Sequence, residues 1–368
     1  MSKASLAALV AATTLVGAAA VAEADEGGPT FTFGAATSYV FDINQPDDQF
    51  THENQKLYAD GESEESFNID LVQLGVSGSR GIVSYGTKID FGDWADMVAD
   101  NIDDEVALQE LFLTIDTGPV LLSAGRMPTP IGYEVLEPWA NPNISRSRAW
   151  FYQPISHDGV AIAGGLGPVS LMAAVANGME VADDGINNPD DEYAVIASAG
   201  TSFGANELRL SAIYSDESDE VRFFELNALL SGSHKPWRYG LEGTWLDGDG
   251  HGGSLPVVRP DVTVLDATGY GGVTWGSWSG DLRLSYTDQE ATNGSFFDAN
   301  HDGIVSFTAT GGYEIVEGVV LRLEYRVDKA DNDIFDDHDS IGPPPAGQSD
   351  LINVVQVQLL WTPATGLH

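Results

Sequence analysis

A transmembrane antiparallel β-barrel of about sixteen strands is the fold class that this sequence predicts. Three observations predict it. Alternating runs reach about ten residues, the length a tilted strand needs to cross a bilayer and well beyond the five or six usual in soluble sheets. Tight turns alternate with long polar connections along the chain. Trp and Tyr sit near the ends of the apolar faces, as at Trp237, Trp245, Trp275, Tyr313 and Trp361, where an interfacial girdle requires them.

The alternation is clearest late in the chain. Val319, Leu321, Leu323, Tyr325 and Val327 interleave with Arg322, Glu324, Arg326 and Asp328. Leu282, Leu284 and Tyr286 interleave with Asp281, Arg283, Ser285 and Thr287, and Trp237, Tyr239, Leu241, Gly243 and Trp245 with Arg238, Gly240, Glu242 and Thr244. Successive strand residues point to opposite faces, so each such strand has one apolar face and one polar face. On this basis strands are expected near 30–42, 66–79, 82–91, 106–116, 120–127, 157–164, 169–177 and 192–203. Eight more are expected near 206–215, 221–233, 237–247, 263–275, 278–289, 303–315, 319–328 and 350–361. An even total suits a bacterial outer-membrane barrel. Tight turns fall at Ser79-Arg80-Gly81, Thr117-Gly118-Pro119, Gly165-Leu166-Gly167, Gly204-Ala205, Gly276-Ser277 and Glu317-Gly318. Short periplasmic turns, long extracellular loops and both termini on the short-turn rim follow from that spacing.

Residues 1–24 read as a secretory signal peptide. Lys3 supplies the positive start, Leu6 to Val16 an apolar core too short to span a membrane, and cleavage fits after Ala22 or Ala24. Residues 25–368 are then one barrel domain. The chain has no cysteine, which removes disulfides, thiolate metal sites and a Cys nucleophile. Its formal net charge of −40 repels phosphate backbones, so nucleic acid is excluded as a partner. Many acids fall in the long connections, among them Asp47, Asp48, Asp183, Asp184, Asp333 and Asp336. Basic residues fall instead on strands, where Lys88, Arg126, Arg209, Arg238, Arg283, Arg322 and Arg326 are expected to face away from lipid.

A barrel of this size encloses more volume than wall side chains fill, leaving a water-filled lumen. The connection from Pro128 to Ser156 is the most aromatic and proline-rich of all, and it follows the fifth strand. Non-helical backbone at membrane depth must line a cavity or be covered by protein. This connection is therefore expected to fold inward as a constriction loop, the alternative being a solvated cap outside. Opposed charges set which ions pass, and the candidate pore residues are Lys88, Arg126, Glu134, Glu137, Arg146, Arg148, Arg322 and Arg326.

The same stretch carries a family resemblance. Gly125-Arg126-Met127-Pro128-Thr129-Pro130-Ile131-Gly132-Tyr133-Glu134, then Asn141-Pro142-Asn143-Ile144-Ser145-Arg146-Ser147 and His157-Asp158-Gly159-Val160, resemble the β-barrel porin family of OmpL-like type. The resemblance implies an outer-membrane diffusion channel and does not name the solute; with the barrel reading, the expectation is passive diffusion of small hydrophilic solutes or ions, without a cofactor, in a Gram-negative bacterium. It implies contact with outer-membrane lipid, lipopolysaccharide and the barrel assembly machinery, and allows a homo-oligomer. One departure is the tail after Trp361, where barrels of this sort often end on an aromatic residue.

Other chemistry is sparse. Asp298, Asn300 and Asp302 fit the first half of a calcium loop with Gly303 at the turn position, but Ala309 stands where the bidentate Glu belongs. A solvated acidic loop is the alternative to structural calcium there. Gly200-Thr201-Ser202-Phe203-Gly204 matches a nucleophile-elbow pattern, yet a strand follows where a helix should. Ser156, His157 and Asp158 are neighbours on a strand and face opposite ways, which no catalytic triad tolerates. An outer-membrane enzyme and a structural or adhesive barrel with a plugged lumen are the two alternatives to a channel.

Overall fold

The structure, a computed structural model, describes residues 29–43, 66–97, 101–103, 106–178, 193–218, 221–250, 261–292, 302–336 and 348–361. The signal segment, most of the acidic connections, Asp298 and Asn300, and the tail after Trp361 lie outside the described residues.

Sixteen long strands form where the alternation lies. In chain order they are β1 (Thr30–Asp42), β2 (Ser66–Arg80), β3 (Val83–Phe91), β4 (Val106–Asp116), β5 (Val120–Pro128), β6 (Ser156–Leu166), β7 (Val169–Ala176) and β8 (Tyr193–Phe203). They continue as β9 (Asn206–Ser218), β10 (Val221–His234), β11 (Trp237–Gly250), β12 (Asp261–Trp275), β13 (Trp278–Thr292), β14 (Asp302–Val316), β15 (Val319–Ala330) and β16 (Leu351–Trp361). Each pairs antiparallel with its sequence neighbours, and β1 pairs with β16 from Ala35↔Trp361 to Asp42↔Val354, which closes the barrel. A three-residue strand, Asn101–Asp103, bridges to the start of β4, and Phe335–Asp336 pairs with Gln348–Ser349.

Alternation decides which face of each strand meets lipid. On β15, Leu321, Leu323 and Tyr325 are exposed on the outside, while Arg322, Glu324, Arg326 and Asp328 are buried within. The six expected tight turns are present, and each holds a glycine at positive φ, as Gly81 at 63° and Gly276 at 59°. A side chain is disfavoured in that left-handed region, so glycine fixes where the chain reverses. A seventh short turn joins His234 to Trp237. The expected girdle is in place: Trp237, Trp275 and Trp361 stand exposed beside the short turns.

Among the described residues, three segments fold into the lumen. The largest joins β5 to β6, as the sequence predicts. A 3-10 turn at Asp93–Met97 brings Trp94 against Leu71, Leu136 and Trp150. After β15, Ile334 and Phe335 pack among Val40, Ile304, Ile352 and Val354. These apolar clusters sit inside the barrel, so the interior at this level is a packed core and not open water.

Candidate pore constriction

The inward loop is launched by a pinch in the wall. Across β5 and β6 the rungs are Gly125↔Gly159, Arg126↔Asp158, Met127↔His157 and Pro128↔Ser156. Gly125 has φ 118°, and a Cβ there would lie 2.2 Å from the Leu111 carbonyl oxygen. A Cβ on Gly159 would lie 2.1 Å from that of Val175. Only paired glycines let four strands approach this closely, so the motif ends Gly125-Arg126-Met127 and His157-Asp158-Gly159 are two sides of one rung set. Above them the Thr129 amide donates to the Ile155 carbonyl at 3.1 Å, and the His157 Nε2 lies 3.1 Å from the Thr129 hydroxyl.

Inside the lumen the loop holds its own shape. Asn141 Oδ1 accepts the Val135 amide at 2.9 Å, while its Nδ2 donates to the Val135 and Glu137 carbonyls, both at 2.7 Å. The Arg146 guanidinium donates to the carbonyls of Val135, Leu136 and Ile144 at 2.8–2.9 Å and lies 4.2 Å from the Trp94 ring centroid. Carbonyls left bare by irregular backbone are costly when buried, and Arg146 answers three of them. It shapes the loop from within.

Wall side chains then clamp the loop from several directions. From β13, Arg283 pairs with Glu134 at 2.7 Å and donates to the Ser145 carbonyl at 2.6 Å. From β15, Glu324 accepts the amides of Ile144 and Ser145 at 2.6 and 2.9 Å, and the Ser145 hydroxyl at 2.5 Å. Asp328 pairs with Arg148 at 3.0 Å and with its own strand neighbour Arg326 at 2.8 Å, and Arg326 donates to the Arg146 carbonyl at 2.7 Å. Arg322 reaches the carbonyls of Asn141 and Pro138 at 2.9 and 3.1 Å, and also Gln358. On the β3–β4 side, Lys88 lies 2.6 Å from both Glu137 and Glu110. Burial alone would raise the Glu137 carboxyl, but the Lys88 ammonium outweighs it and holds that group below its ordinary range. Across the lumen, Arg209 on β9 donates to the Gly132 carbonyl at 2.7 Å, and Glu242 on β11 accepts the Tyr133 amide at 3.0 Å. The Tyr133 ring lies 4.4 Å from that of Tyr270 on β12.

Seven of the eight predicted pore residues therefore meet in one buried network: Lys88, Glu134, Glu137, Arg146, Arg148, Arg322 and Arg326. Glu137 pairs with Lys88 across the lumen; the other two contacts are of a different kind. Glu134 faces Arg283, and Arg322 meets backbone carbonyls in place of a loop acid. Arg126 stands apart. Its guanidinium binds Asp158 in a bidentate pair at 2.8 Å and the Leu108 carbonyl at 2.9 Å. Its rung shares the outward phase of Leu111, Ala124 and Val160, while its side chain is buried along the wall.

The sequence from Phe31 onward matches the family described as putative beta-barrel porin-2, OmpL-like, over residues 31–240. The chain belongs to this porin family. No curated protein matches the sequence. In fold, this porin is similar to in-vitro folded OmpT, an outer membrane protein of Vibrio cholerae (TM-score 0.59, 12% identity, 93% of this chain and 99% of that chain). The trimer form of that protein gives a TM-score of 0.58 at 11% identity over 91% and 98% of the two chains. An anion-selective porin from Comamonas acidovorans gives 0.58 at 11% identity over 92% and 99%. Family and fold place this porin in the outer membrane of a Gram-negative bacterium.

The residues that sequence reasoning left out of the site are Arg283, Glu324, Asp328, Arg209 and Glu242. A signal for them was present: each stands in the inward phase of a strand whose outward phase is apolar. Of the calcium-loop candidates, Asp302 opens β14. Thr201 and Ser202 run to the end of β8, where Gly204 turns the chain into β9.

Proposed function

We propose that this porin forms a water-filled channel for passive diffusion of small hydrophilic solutes or ions, and that the loop between β5 and β6 sets its narrowest section. The observation that carries this reading is the clamp itself. Charged groups of both signs, contributed by strands on opposite sides of the barrel, converge on one inward loop at one level. Such an arrangement fixes an obstruction rigidly inside a lumen, which is what a size- and charge-selective channel needs. The roles follow from the geometry: Glu134 and Glu137, with their partners Arg283 and Lys88, set the local field; Arg146, Arg148, Arg322 and Arg326 hold the loop in place.

No cofactor and no covalent step enter this reading. Its partners are outer-membrane lipid, lipopolysaccharide and the assembly machinery that inserts barrels. The trimer form of the OmpT relative supports a homo-oligomer here. Liposome swelling with sugars of graded size tests the function. Purified folded protein should admit small sugars and retard larger ones; vesicles that shrink and stay shrunken in every sugar would refute a diffusion channel.

A further inference from the structure

The loop does not cover the inner wall of the barrel evenly. On each strand that leaves a short turn, the residue three places in faces the lumen. On β9, β13 and β15 that residue is Arg209, Asp281 and Arg322, only 3, 4 and 5% exposed. On β3 and β11 it is a buried glycine. On β5 and β7 it is Ser123 and Met172, and both are only half-buried, with surface open to the lumen. Inward neighbours on the adjoining strands match them: Phe112 and Thr114 on β4, Ala161 on β6 and Ser198 on β8 are half-buried too. The contacts of the loop account for the difference. Its clamps reach β9, β11, β13 and β15, and Trp139 lies so near β1 that a Cβ on Gly34 would sit 2.5 Å from its ring. Ile131 packs on Ala174, Ala194 and Ile196, towards the long-loop ends of β7 and β8. The short-turn half of β4–β8 is left as one side of a crevice beside the loop.

The open stretch of that wall is uncharged. Phe112 and Met172 offer apolar surface, and Thr114, Ser123 and Ser198 offer hydroxyls, the first two 2.8 Å apart. Along β4 the flanking ionisable groups are Asp116, at the short-turn rim with the Gly118 amide 2.7 Å from its carboxylate, and Glu110, buried against Lys88. The charged groups of the clamp are buried, so they act on the crevice through their field and not by contact. An ion that sheds water against such a wall finds no counter-charge to replace it. A neutral solute gives up weaker hydration and gains apolar contact and hydroxyl partners. Sites for small uncharged molecules have this composition, an apolar lining with a few placed polar groups.

We propose that solutes travel between the loop and the inner wall of β4–β8, and that this wall favours small uncharged solutes bearing both hydroxyl and apolar surface over ions of the same size. The inference rests on the channel reading above and names its substrate class. Ser123, Ala161, Met172 and Ser198 are then the residues a solute touches, and the clamp of acids and arginines is the scaffold that keeps the opposite side of the crevice in place.

The absence of native cysteine makes the test direct. Ser123→Cys, Ser198→Cys, Ser285→Cys and Ser306→Cys are each made in the full-length protein, folded into lipid nanodiscs and treated with N-ethylmaleimide, with labelling followed by mass. The first two should label at least about tenfold faster than the last two, which face inward on β13 and β14 and are buried. Equal rates at all four, or faster labelling at Ser285→Cys and Ser306→Cys, would overturn the route. Tracer exchange of glucose, gluconate and N-methylglucamine into proteoliposomes then tests the substrate class. Glucose should enter roughly tenfold faster than either ion, a preference of about 1.4 kcal/mol, and Ala161→Asp should raise N-methylglucamine entry at the expense of gluconate. An ion that enters wild-type vesicles as fast as glucose, or an Ala161→Asp variant with unchanged preference, would overturn the substrate class. The two readings fail differently. Fast labelling with no entry of any of the three solutes would remove the channel and its substrate class and leave the open wall; entry with slow labelling at Ser123→Cys and Ser198→Cys would leave the channel and remove the route.

Discussion

Glu324→Gln is the sharpest probe of how the loop is held. One oxygen of Glu324 accepts the Ile144 amide and the Thr310 hydroxyl, both at 2.6 Å; the other accepts the amide and hydroxyl of Ser145 at 2.9 and 2.5 Å. Glutamine keeps the shape but turns one acceptor into a donor. A hydroxyl can rotate to accept from it; a backbone amide cannot. At least one buried N–H is then left facing a donor, and the remaining bonds lose their charge. A hydrogen bond to a charged group contributes about 1.5–3 kcal/mol, and an orphaned buried donor costs about 1–3 kcal/mol. A net loss of about 3 kcal/mol corresponds to roughly a hundredfold more frequent local opening of the loop. Amide hydrogen exchange at Ile144 and Ser145 in detergent micelles reads that directly, and channel recordings should show added flicker. Unchanged exchange at both amides would refute the view that Glu324 carries the loop's apex.

Three further perturbations follow from the same geometry. Lys88→Met removes the cation between Glu110 and Glu137 and leaves two buried carboxylates facing each other, a loss of about 3–5 kcal/mol in barrel or loop stability, read from the heat-modifiable gel shift. Its pH dependence has a definite sign: because the Glu137 carboxyl is depressed in the folded protein, the contribution of this pair to holding the loop should be lost in wild type as pH falls through and below the ordinary carboxylate range. Without Lys88 burial dominates, and acid should tighten it instead. Gly125→Ala puts a Cβ into the Leu111 carbonyl at a positive φ, so folded yield should collapse, whereas Gly81→Ala, with nothing within 4 Å of its Cβ, should cost only about 1 kcal/mol; equal yields would show that the pinch is dispensable. Glu134→Gln combined with Glu137→Gln uncovers Arg283 and Lys88, so the reversal potential under a salt gradient should shift towards anions, and an unmoved potential would take these acids out of the permeation path.

Most of the barrel is legible in the sequence because lipid on one side and water or polar protein on the other impose a period of two at every strand. The expected segment 319–328 and the observed Val319–Ala330 differ by two terminal residues, and the glycine turns mark where chain reversals need a left-handed residue. The inward loop is also legible as a connection whose composition fits neither a solvated loop nor a strand. Its contacts are not. Glu324 and Arg283 meet Ser145 from 179 and 138 residues away, and which inward charge meets which loop atom depends on barrel register, which a single alternating pattern does not encode. Arg126 shows the other limit. A charge on a strand is expected to face the lumen, but the phase that follows from Ala124 and Val160 sets this rung outward, and the side chain lies buried along the wall, where its bidentate pairing with Asp158 neutralises it.

The central claim is that the clamped loop is the constriction of a conducting pore, and single-channel recording in a planar bilayer tests it most directly. Wild-type protein should insert as discrete, ohmic steps, and a variant with residues 133–150 replaced by a short glycine-serine linker should give larger steps with weaker ion discrimination. Folded wild-type protein that never conducts, or steps of the same size in both proteins, would contradict it.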